Sequence, residues 1–118
     1  MALDNCTPLS SMEDLDRLLS GRDAERGILF LHDPWCPVSR RAAREVEEFG
    51  GPVSLVDVSN QLDMSRTIAS RTGISHESPQ VIVFAGGEPV WHASHGGITR
   101  QGIEMAWSRA GERAEAAD

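Results

Sequence analysis

Two short apolar runs, Ile28-Leu29-Phe30-Leu31 and Val53 to Val58, flank a segment whose apolar residues Val38, Ala42, Val46 and Phe49 recur at helical spacing. A strand, a helix and a second strand in that order require a crossover, so the two strands pair in parallel. An unbroken apolar run, rather than an alternating one, means that both faces of the strand are covered. The breaks agree with this: Asp33-Pro34 ends the first run, Pro37 suits the first helical position, and Gly50-Gly51-Pro52 stops the helix.

The flanking sequence extends the pattern. Ser10 with Glu13 reads as a capping box, followed by the stripe Met12, Leu15, Leu18 and Leu19, which predicts a helix over residues 11–19 that Gly21 ends. Ser59 or Asn60 can cap a helix with inner face Leu62, Ile68 and Ala69, closed by Gly73. After Ser78-Pro79, the run Val81 to Phe84, the turn Gly86-Gly87-Glu88-Pro89 and the run Val90 to His95 form an antiparallel hairpin. Thr99 then caps a last helix carrying Ile103, Ala106, Trp107 and Ala110, and residues 111–118 read as a flexible, solvated tail. Residues 1–9 can add an edge strand, limited by Pro8. The expectation is one α/β domain over residues 1–118 with its core at about 11–110: a mixed sheet of four to five strands with helices on both faces.

At 118 residues the chain buries roughly two thirds of its unfolded surface, enough to fold without disulfide or metal staples. The net charge is -7, and every basic residue is Arg. This acidity argues against an electrostatic grip on nucleic acid. No apolar run is long enough to span a membrane, and the first 20 residues carry Asp4, Glu13, Asp14 and Asp16 without a basic leader, so the expected compartment is the cytoplasm. Asn5-Cys6-Thr7 matches a glycosylation acceptor by chance in such a setting.

Cys6 and Cys36 are too few for a disulfide framework, and a cytosolic chain keeps them reduced. Cys36 stands in Trp35-Cys36-Pro37-Val38-Ser39, where a buried strand turns into a helix. Its sulfur lies beside the free N–H groups of the first turn, a position that favours negative charge. Free cysteine often acts as a small core hydrophobe, but a proline-rich turn beside Trp35 is a poor place to bury one. Arg40, Arg41 and Arg44 crowd the first two turns, where the macrodipole prefers acids. Either an anion offsets them, or Arg41 with Glu45 and Arg44 with Glu48 are surface pairs. Cys6 reads as an exposed, flexible cysteine with a lesser case as a resolving thiol. His92 and His95 have a metal-like spacing, but residues three apart on a strand point to opposite faces, so no metal is expected. Trp91 and Trp107 read as packing residues.

The order of elements, the Trp-Cys-Pro-x-Ser turn and Ser78-Pro79 before the hairpin resemble the thioredoxin fold over about residues 11–110. Cys36-Pro37-Val38-Ser39, His76-Glu77-Ser78-Pro79-Gln80 and Trp91-His92-Ala93-Ser94-His95 with Ile98-Thr99 are similar to the monothiol bacilliredoxin (YtxJ-like) family. The resemblance implies that Cys36 is the nucleophile that takes bacillithiol off S-thiolated proteins, and that Pro79 is cis and faces it. Trp35, Pro37, Ser39, Ser78 and Pro79 would support the site and line a substrate groove, in which the backbone beside a cis Pro79 offers groups to an extended segment; from charge rather than from the resemblance, Arg40 with Arg41 can hold an anionic bacillithiol beside Cys36. Ser39 stands where thioredoxins have their second cysteine, Phe30 where they keep a buried acid, and Trp35 is the thioredoxin-like choice where the family often has a small polar residue.

A lone thiolate works by exchange: it attacks a mixed disulfide, releases the protein thiol, and carries the small thiol until another thiol frees it. Bacillithiol is then a co-substrate and no cofactor is tightly bound. The implied partners are S-thiolated clients and the small thiol, with the chain a monomer or weak dimer. Two other readings are a dimeric iron–sulfur carrier using Cys36 plus small thiols, and a redox-silent peptide-binding module.

Overall fold

The computed structural model describes residues 3–21 and 25–116. The chain runs β1 (Cys6–Pro8), α1 (Met12–Ser20), β2 (Arg26–His32), α2 (Pro37–Phe49), β3 (Val53–Asp57), α3 (Leu62–Thr72), β4 (Gln80–Ala85), β5 (Glu88–Ser94), a 3-10 turn over His95–Gly97, and α4 (Arg100–Ala116). The strands form one sheet in the order β1-β3-β2-β4-β5. β1 and β2 are both parallel to β3, whereas β4 is antiparallel to β2 and β5 to β4. No helix among the described residues is long and apolar enough to cross a membrane.

Alternation along the central strand divides the core into two layers. Ile28 and Phe30 of β2 pack with Ala42, Ala43 and Val46 of α2 and with Ile103, Ala106 and Ala110 of α4. Leu29 and Leu31 pack on the other face with Leu15 of α1 and Met64 and Ile68 of α3. His32 continues the first series, so it points toward α2, where it is only 7% exposed. Helices therefore cover both faces.

Four local expectations are corrected. The N-cap of α1 is Ser11, whose side chain accepts from the Asp14 amide, while Ser10 donates to the Asp14 carboxylate; the Ser10–Glu13 box does not form. The N-cap of α3 is Gln61 rather than Ser59 or Asn60. Those two are occupied by Asp57, which accepts from the Ser59 amide and the Asn60 side chain. The buried face of α3 is Met64, Ser65 and Ile68, and Leu62 is exposed. Lastly, residues 111–116 are not a frayed tail: α4 continues through them, and Ala114 is buried. Residues 117 and 118, and residues 1 and 2 of the expected edge segment, lie outside the described residues.

The hairpin turn is two residues long, Gly86-Gly87, both with positive φ, the geometry that matches strand twist. It packs on the C-terminal cap of α1. A Cβ on Gly87 would come within 2.5 Å of the Leu19 carbonyl oxygen, and one on Gly21 within 2.6 Å of Gly86. On the other face of the sheet, Arg26 at the start of β2 lies over the Trp107 ring at 3.8 Å and donates to the Trp107 carbonyl at 2.8 Å.

Candidate active site

Cys36 is the N-cap of α2, with Pro37 at the first helical position. Its side chain makes no capping hydrogen bond and is half-buried. Asp33 shapes the turn before it: its carboxylate accepts from the Trp35 amide at 2.9 Å and its carbonyl from the Cys36 amide at 3.1 Å. Trp35 is thereby held out in solvent, 81% exposed, and Val38 on the far side of the cysteine is also exposed. Two exposed apolar residues thus stand one position before and two after the cysteine. Arg40 folds back on the same turn, its guanidinium donating to the Pro34 carbonyl at 3.3 Å.

Ser39 is fully buried one helical turn inside this surface. Its Oγ accepts from the Asp33 amide at 2.9 Å and lies 2.6 Å from His32 Nδ1. A serine hydroxyl can both give and receive hydrogen bonds, so this contact forms with either tautomer of a neutral His32. The environment favours that state. Burial pushes the His32 imidazole below its ordinary value of 6.5, opposed by Asp57 and Asp33 and aided by Arg40. The ring also stacks on Phe30 at 5.0 Å. His32 was not expected as part of this network, although its alternation with Ile28 and Phe30 places it on the face that α2 covers.

Pro79 lies at the same end of the sheet. Gln80 pairs with Leu31, next to the last residue of β2, and the preceding Ser78–Pro79 peptide bond is cis. Pro79 is buried, and its carbonyl accepts from the His95 amide at 3.1 Å. Gln80, also buried, braces the loop by donating to the Ser75 carbonyl and accepting from the Glu77 amide. Ser78 Oγ is enclosed with no hydrogen-bond partner among the described residues.

Two expectations about nearby groups are corrected. Cys6 is not in a flexible segment; it belongs to β1, packs on the core and is paired with Val53, the first residue of β3. That places it level with the middle of β2, roughly 13 Å short of His32 along the strand direction, whereas a disulfide needs Cα atoms within about 7 Å. Burial also pushes the Cys6 thiol up to about 11, so it stays protonated. Arg41 and Arg44 do not pair with Glu45 and Glu48: among the described residues neither has a carboxylate within ion-pair distance, and Glu45 instead accepts from the Arg100 amide at the start of α4. Asn5 donates its amide to the Val46 and Gly51 carbonyls, which occupies the nitrogen that a glycan would need.

A structure described as an oxidoreductase with a thioredoxin fold superposes with a TM-score of 0.79 and 28% identity, covering 86% of this chain and 92% of its own. A thioredoxin from Halobacterium salinarum gives 0.68 and 20%, covering 93% and 94%, and a poplar thioredoxin h gives 0.71 and 18%, covering 94% and 86%. Together with the site, these define a thiol oxidoreductase of thioredoxin fold. The sequence profile described as "Monothiol bacilliredoxin BrxC" matches residues 7–103, and the chain belongs to that family.

Proposed function

We propose that the chain removes bacillithiol from S-thiolated proteins through a mixed disulfide on Cys36. The observation that carries this reading is the isolation of the Cys36 sulfur within its own chain. The position that could hold a second cysteine is Ser39, buried and committed to His32 and Asp33, and Cys6 lies along the strand direction away from the site. The thiolate attacks the bacillithiol sulfur of the client's mixed disulfide; the Cys36–bacillithiol bond forms, the client's S–S bond breaks, and the electron pair leaves with the client sulfur. A second bacillithiol thiolate then attacks this intermediate, releasing bacillithiol disulfide and restoring Cys36. Each step exchanges one S–S bond for another, and the second bacillithiol is the reductant: it ends in bacillithiol disulfide while the client sulfur ends as a thiol.

Trp35 and Val38 supply apolar contact for a client segment, and the backbone of Ser78, just before Pro79, supplies an edge along which it can lie. Arg40 stiffens the turn through Pro34. The expected setting is cytoplasmic, where thiol exchange of this kind operates.

The test is to incubate the protein with a bacillithiolated client and read intact masses. The expected result is bacillithiol on Cys36 and a free client thiol, absent in Cys36→Ser. No transfer by the wild-type chain, or equal transfer by Cys36→Ser, overturns the proposal; so does a coloured, dimeric iron–sulfur species on anaerobic reconstitution with no exchange activity.

A further inference from the structure

Beside the nucleophile is a cleft of about 210 Å³ that the exchange steps above do not use. One wall is a single face of α2, Val38, Arg41, Ala42 and Glu45; the other is the loop His95, Gly96, Ile98 and Thr99. Val38 is two residues from Cys36, and the His95 amide bonds the Pro79 carbonyl. Both walls therefore begin at the redox site.

Three observations indicate what fills it. First, the polar groups of the cleft are committed except one: Glu45 accepts from the Arg100 amide, Thr99 Oγ from the Gly102 amide, and His95 Nε2 lies 3.6 Å from Glu77. Arg41 alone presents a full charge with no carboxylate in ion-pair range among the described residues, in a chain whose net charge is -7. Second, His95 has φ 51, an uncommon backbone conformation for a residue other than glycine, and such outliers concentrate at ligand sites. Third, nothing in the fold requires Gly96. Its φ is not in the positive region, and a Cβ there would meet nothing within 4 Å. A glycine that the fold does not need, on the wall of a cleft, leaves room for another molecule to approach the backbone.

We propose that this cleft binds the carboxylate-bearing part of the low-molecular-weight thiol while its sulfur is bonded to Cys36, with Arg41 holding the carboxylate and Gly96 providing clearance. This rests on the exchange reading above and adds the residues that select the small thiol. A peptide client is disfavoured as occupant, because the cleft is short.

The test measures the rate at which Cys36 of the full chain opens two disulfides, bacillithiol disulfide, which carries carboxylates, and bis(hydroxyethyl) disulfide, which carries no charge. Arg41→Glu and Gly96→Gln are expected to lower the ratio of the first rate to the second by about fivefold or more relative to wild type. Arg41→Lys should keep most of that ratio. Because each variant is compared with wild type on both disulfides, a general loss of thiol reactivity or of folding moves both rates and leaves the ratio in place. An unchanged ratio in both variants overturns the cleft assignment while leaving exchange intact. If the wild-type chain opens neither disulfide, the exchange reading itself fails, and the cleft assignment with it.

Discussion

At position 39 a hydroxyl serves two partners at once: it accepts from the Asp33 amide and shares a hydrogen bond with His32 Nδ1. Ser39→Ala strands both partners in a buried space, and a loss of about 2 kcal/mol in urea unfolding is expected. The burial of His32 makes stability depend on pH. Because His32 is held below 6.5 in the native state, the unfolded chain takes up a proton first as the solution is acidified. Stability should therefore fall from about pH 6.5 downward, levelling once native His32 is itself protonated, and His32→Gln should flatten that decline in denaturation curves between about pH 7.5 and 5. The two cysteines should also respond differently to alkylation near neutral pH: Cys36 is half-exposed at a helix terminus, whereas Cys6 is held protonated by burial. Peptide mapping after brief iodoacetamide treatment is expected to find the label on Cys36 and little on Cys6. Position 36 was legible from sequence because Pro37 marks a helix start and the preceding run marks a buried strand. The surroundings of Cys6 were not, since three residues ending in Pro8 carry no periodicity, and only pairing with β3 orders them.

Among the elements, helix ends show where local sequence stops being informative. The C-terminal caps Gly21, Gly50 and Gly73 were readable because all three adopt positive φ. The N-terminal caps of α1 and α3 were not, because several Ser, Asn and Asp residues compete there and tertiary contacts choose among them; Gln61 prevails at α3 by bridging the Asp57 amide and the Leu9 carbonyl. Glycine positions separate conformational strain from crowding. Gly73→Ala meets open space and should cost about 1 kcal/mol through its φ alone, whereas Gly87→Ala adds a backbone clash with Leu19 and should cost about 2 kcal/mol or more. Urea midpoints of the two variants check that order.

For the molecule as a whole, the parallel core and the hairpin edge followed from the order of apolar runs, but the extent of α4 did not. Its inner stripe runs Ile103, Ala106, Ala110 and Ala114, and beyond Ala110 a single alanine is too small to register as an apolar face. They pack because the sheet approaches closely and Arg26 lies against Gly111. A chain ending after Ala110 is therefore expected to lose about 1–2 kcal/mol, read as a fall in Tm of roughly 5–15 °C. The separation of residues 6 and 36 along the strand direction has a consequence for the whole cycle. With no second sulfur inside the chain to accept a bond, the molecule cannot keep a pair of electrons in reserve between encounters. In the proposed exchange, its bonding state at any moment mirrors the mixture of thiols and disulfides around it, which makes it a gauge of that pool as well as an agent acting on it.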